Sequence, residues 1–176
     1  LLNCPELLYA LHEPDLENEL FNEDGTLNAD EDGNLLGEIS NFFGTTQNIR
    51  PYLFIPETQE HVKHILCYQV SFDEVGRYNN FQKYTQITFT IFCQEQDIMD
   101  ELTGLPRHDL IASIIREKFN WSNIFGAQAK LISSKESITD NHYLVRTLVF
   151  QIVDLNGTVT TSYGGKSDFT NYHLRR

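Results

Sequence analysis

The sequence predicts an α+β fold, a small mixed or antiparallel sheet with a single layer of helices on one face. Three observations carry that expectation. Tyr84 to Gln94 alternates, so that Ile87, Phe89, Ile91 and Cys93 share one face while Gln86, Thr88 and Thr90 share the other, the period of a half-buried strand. Leu110, Ile111, Ile114, Ile115 and Phe119 recur at helical spacing after Pro106, a residue tolerated in a first helical turn. Ala129 to Ile138 and Tyr143 to Val153 are two further β-prone runs, the second followed by the turn dipeptide Asn156-Gly157.

Upstream, Leu7, Leu8 and Leu11 mark a short first helix within Leu1 to Leu11, which Pro14 ends by disfavouring helix in the residue before it. The dipeptides Asp24-Gly25 and Asp32-Gly33 read as turns. Leu35, Leu36, Ile39, Phe42 and Phe43 form a helical stripe despite Gly37. Pro51 and Pro56 bracket an edge segment, because proline removes a ladder donor. Ile65 to Val75 is a strand with Leu66, Tyr68, Val70 and Phe72 on one face. The predicted order is α, α, β, β, α, β, β, with antiparallel pairing across short loops and the Arg107 to Phe119 helix crossing one face.

The chain has 176 residues, 40% of them hydrophobic, enough for one domain with a substantial core. Its net charge of −12 is concentrated at the start: residues 1–49 hold eleven acids and no lysine or arginine, while the remaining residues hold 14 acids against 13 bases. The chain therefore divides into an acidic N-terminal extension with short helices (1–49), an α+β core (50–156) and a polar C-terminal arm (157–176). Such asymmetry disfavours a phosphate-gripping protein, which needs clustered Lys and Arg. The acidic segment is either a solvated tract or a lining that repels DNA inside a ring.

Cys4, Cys67 and Cys93 make an odd count without C-x-x-C spacing, which suits a reducing compartment. No apolar run approaches the roughly 18 residues that span a bilayer, so no membrane partner is expected. The chain begins Leu1-Leu2 and its only methionine is Met99, from which we expect a short trimmed start rather than a cleaved signal peptide.

No motif for chemistry stands out. Asn28, Asp30, Asp32 and Gly33 match the opening of an EF-hand loop, but its twelfth position falls on Ile39 and Glu38 is one residue short, so a plain acidic turn is expected. His61, His64 and Cys67 have potential metal ligands, yet on a strand His64 and Cys67 point to opposite faces; two surface histidines beside a core cysteine are expected. His108 and His142 carry no ligand signature. Neither a nuclease-type carboxylate-x-lysine triplet following a sheet strand nor Gly-x-Ser-x-Gly occurs. Hence no enzyme, metal or cofactor is expected. Asp109 falls in a first helical turn, where its charge favours the helix dipole, and Arg107 could pair with a carboxylate of the 95–101 loop or of a neighbouring subunit.

The order of strand, acidic loop, Arg107-His-Asp109 helix start and returning Arg146 to Phe150 strand resembles the tail terminator, or tail completion, proteins of long-tailed bacteriophages. The resemblance covers Tyr84 to Asn156 and extends weakly to Ile49 to Pro56. It implies a compact α/β fold without catalytic residues, and a virion protein assembled in the host cytoplasm. It further implies a ring, usually hexameric, that caps the tail tube and receives the head, with tail tube protein and head-tail connector proteins as partners and DNA passing through without specific binding. Arg107, Asp109 and Arg146 are then candidate contacts with other subunits or the tube. In the arm, Tyr163, Phe169 and Tyr172 are candidates for docking on a neighbour. A different class of reading is a small acidic regulatory or binding module, a nucleic-acid mimic that acts as monomer or dimer through residues 13–38.

Overall fold

The computed structural model describes residues 1–22, 26–30, 36–53, 64–72, 82–139 and 142–155. Five strands, β1 (Ile49–Arg50), β2 (Ile65–Phe72), β3 (Gln82–Gln94), β4 (Ala129–Ile138) and β5 (Tyr143–Leu155), form one sheet in the order β1-β2-β3-β5-β4. β1 runs parallel to β2, and every other pair is antiparallel. The fold is the small α+β mixed sheet that the sequence predicts. Between β3 and β4 lies α3 (Arg107–Phe119), and because β5 inserts between those strands, the helix must cross the sheet face to connect them.

Alternation determines which residues meet that helix. Ile87, Phe89, Ile91 and Cys93 of β3 are buried with Leu148, Phe150 and Ile152 of β5 and with Ile111, Ile115 and Phe119 of α3. Phe89 stacks on Phe119 at 5.2 Å between ring centroids and meets Phe150 edge-on at 5.7 Å. The opposite sheet face holds a smaller cluster of Ile65, Cys67, Phe92, Tyr143 and Val145. Strand β2 is therefore buried on both faces at its start, whereas Val70 further along is exposed.

Two short helices pack on the same layer as α3. Both α1 (Pro5–Ala10) and α2 (Pro14–Leu20) start on a proline, where the missing amide hydrogen costs nothing. Pro14 thus ends one helix and opens another, and His12, at φ 46°, makes the turn between them. Leu7, Leu8, Ala10, Leu11 and Leu20 enter the same core as the β3 residues, so the apolar side of this acidic segment is not solvated.

The Leu35 to Phe43 stripe does not form an α-helix. Only Ile39–Phe42 turns, as a 3-10 helix: Phe42 is buried, Leu36 and Phe43 are exposed, and Leu35 lies outside the described residues. Gly37 shows why. A Cβ there would sit 2.8 Å from Cγ of the buried Leu20, so the glycine lets α2 pass close to the backbone. The proline-bracketed edge segment is preceded by the two-residue edge strand β1; Ile55 and Pro56 fall outside the described residues, as do the Asp-Gly turns, residues 73–81 and the arm.

Candidate functional site

The Gln94 end of the sheet carries a polar network that fixes the loop leading into α3. After Gln94, Glu95–Asp97 makes a 3-10 turn, the Arg107 amide donates to Ile98 O at 2.7 Å, and the Asp100 amide donates to Leu105 O at 3.0 Å. Gly104, at φ 65°, closes this turn by donating its amide to Asp100 O at 2.8 Å, a backbone conformation in which a side chain would be strained.

Arg107 holds the loop from the helix side. Its guanidinium, 5% exposed, donates from Nη1 to Asp100 Oδ1 at 3.1 Å, and Nε lies 3.4 Å from Asp97 Oδ2. Asp100 also accepts the Thr103 amide at 2.9 Å and hydroxyl at 2.6 Å. Burial alone pushes the Asp100 carboxyl upward, but the two Thr103 bonds and the Arg107 charge outweigh it and hold the group below its usual range. Asp97 joins the network to His64 Nε2 at 3.0 Å and to His12 Nε2 at 3.7 Å, and His12 Nδ1 meets Glu17 Oε2 at 2.8 Å.

His64 is therefore not the surface histidine that the sequence suggests; it is fully buried. Its carbonyl accepts from Asn48 Nδ2 at 3.1 Å, and Asn48 Nδ2 also reaches Glu13 Oε2 at 2.9 Å, which ties the start of α2 to the β1–β2 pair. Burial lowers the His64 pKa by more than the Asp97 carboxylate restores, and Arg107 and His12 add to the lowering. The ring is thus neutral near pH 7, with Nε2–H donating to Asp97.

Both shifts have the same sign for stability. A group whose folded pKa is depressed stabilises the fold above its unfolded value and loses that contribution as the pH falls through the folded value. Melting temperature should therefore stay level from pH 8 to 7, fall below about 6.5 as the unfolded chain takes a proton that buried His64 resists, and fall further below about 3.8 for the same reason at Asp100. A melting temperature that rises between pH 7 and 5 would contradict the placement of His64.

A second ion-pair group lies further along α3. Asp109, in the first helical turn, pairs with Arg146 Nη2, and Glu136 Oε2 lies 3.6 Å from the same nitrogen. His108 Nε2 stands 3.4 Å from Glu136 Oε1. A β-bulge between Leu131 and Ser133 makes this possible: by shifting the register of β4 it sets Glu136 directly opposite Arg146 on the helix-facing side of the sheet. Asp109 and Arg146 line a cleft of about 170 Å³ between α3 and the β4–β5 pair.

Arg107, Asp109 and Arg146 thus lie on the same layer but in two groups. Arg107 takes the loop carboxylates that the sequence allowed for. Tyr163, Phe169 and Tyr172 lie outside the described residues. The sequence reading missed His12, His64, Asp97 and Asp100 as one network. Only the acidic character of the loop signalled two of them.

What this network displays is apolar. Leu102 is 77% exposed at the loop tip, with Leu105 and Met99 half exposed beside it. On the far side, β4 is an edge strand that pairs only with β5 among the described residues and exposes Ile132 and Ile138. Among the described residues no group of three His, Cys, Asp or Glu side chains is disposed to hold a metal ion, and no helix is long and apolar enough to cross a membrane. Cys4, Cys67 and Cys93 are buried and form no disulfide among the described residues, and burial pushes the Cys93 thiol far up.

The sequence profile of the YomW family matches residues 5–152, from the first residue of α1 to near the end of β5. No curated protein matches the chain. The chain belongs to the YomW family, which is phage-derived, and is a phage protein.

Proposed function

We propose that this phage protein is a non-enzymatic virion subunit, a tail terminator that forms a ring on the end of the tail tube, stops tube growth and presents the surface to which the head attaches. The observation that carries the reading is the loop 95–105. Three large apolar side chains, Met99, Leu102 and Leu105, are held out to solvent by a loop that a buried arginine, two aspartates and a threonine make rigid. Exposed apolar groups on a preorganised loop favour contact with another protein, because little conformational freedom is lost on docking.

The β4 edge, open among the described residues, and the α3 layer give a subunit two unlike surfaces, and repeated unlike contacts close a ring when the rotation between copies returns to its start. Six copies follow from the resemblance to tail terminators. Tail tube protein and head-tail connector proteins are the partners, and DNA passes through the lumen without specific binding, in keeping with a chain of net charge −12.

Purified protein added to growing tail tubes should arrest elongation, giving a narrow length distribution in electron micrographs and a distinct cap on one end. Tubes that lengthen at the same rate with and without the protein would contradict the reading.

A further inference from the structure

We infer that the groove between α1, α2 and α3 receives the C-terminal arm, residues 157–176, of a neighbouring copy of this chain. The inference rests on the ring reading and deepens it by naming the contact that joins subunits.

The groove holds about 880 Å³, the size of a ligand cleft, and is open to solvent between three helices, which suits a peptide segment. Tyr9 and Phe21 from the first two helices and Leu110 and Ile114 from α3 give it an apolar floor. Tyr9 meets Phe21 edge-on at 5.8 Å, so two aromatic rings already meet in this lining. Glu6 and Glu17 are acidic positions in the lining, and none of its residues is a lysine or arginine. Its occupant should be aromatic and cationic.

The arm has that chemistry. It carries Tyr163, Phe169 and Tyr172, and its Lys166, Arg175 and Arg176 outweigh the single acid Asp168, in a chain whose first 49 residues contain no lysine or arginine. Position sets the distance that the arm must cover. The groove borders Asp100, Leu102 and Thr103, just beyond the Gln94 end of β3, whereas the arm departs after Leu155, which pairs with Gln82 at the other end of the sheet. The length of β5 separates the two, about 40 Å at ~3.4 Å per residue. An extended arm of twenty residues reaches at most about 70 Å. It can therefore reach this groove on its own copy or on the next; in a ring, docking on the next copy links each subunit to one neighbour in a fixed direction.

The test uses the full chain with a photoreactive benzophenone side chain introduced at Asn18, an exposed groove residue whose side-chain amide donates to Pro14 O of its own helix. Isotope-labelled and unlabelled protein are mixed, assembled with tube protein and irradiated. Crosslinks from position 18 to residues 157–176 of a different copy are expected. The combined substitutions Lys166→Glu, Arg175→Glu and Arg176→Glu should lower their yield about fivefold, since exposed charge pairs contribute a few tenths of a kcal/mol each. Closed oligomers whose crosslinks fall elsewhere, or stay within one copy, would overturn the inference and leave the ring reading standing. Protein that remains monomeric with tube protein would overturn the ring reading, and the inference with it.

Discussion

Phage lacking this protein are expected to make full heads and free tails that do not join, with tubes longer or more variable than normal. A tube protein keeps adding to a growing end until a ring of different shape occupies that end, so one loss removes both the stop signal and the docking surface. Length and joining should therefore fail together in electron micrographs of the lysate. Normally joined virions with tails of normal length would contradict the account, and an uncoupled defect would mean that stopping and docking belong to different proteins.

The largest effect of a single substitution is expected at Arg107. Replacing it with alanine leaves Asp100, 3% exposed, and the partly buried Asp97 without their cation, and breaking a buried pair in this way costs about 3–5 kcal/mol. For a chain of this size that is a fall in melting temperature of about 6–20 °C, to be read by calorimetry. Leu102→Asp separates fold from function: the tip residue is mostly solvated, so stability should change by less than about 0.5 kcal/mol while tube capping is lost. Equal loss of stability in the two variants would mean that the loop is not a presented surface.

The parts of the fold legible in the sequence are those whose periodicity is strong and uninterrupted. α3 spans Arg107–Phe119 and β4 spans Ala129–Ile138, as expected, because each run is long and has one dominant period. α2 escaped notice because Pro14 reads equally well as a stop and as a first residue, and because four acids among Asp15 to Glu23 obscure the apolar side formed by Leu16, Leu20 and Phe21. The stripe at Leu35 to Phe43 misled because its apolar spacing is helical, while Gly37 lies against Leu20 of α2, a contact between distant residues that no local pattern records.

The candidate site was legible only where it is local. Arg107 and its loop carboxylates lie within ten residues of one another, and their pairing could be foreseen. His64 could not be placed, because its burial depends on β1 lying parallel to β2, with Asn48 bonded across to its carbonyl, and on Asp97 arriving from the far end of β3. A histidine beside a strand has no sequence mark that tells a surface position from a buried one.

Native mass spectrometry of the purified protein with tail tube protein tests the central claim most directly. The account predicts one closed homo-oligomer of defined count, six by resemblance to the tail terminators, that persists on dilution. A strictly monomeric or dimeric mass in the presence of tube protein would contradict it, and would favour the small acidic binding module instead.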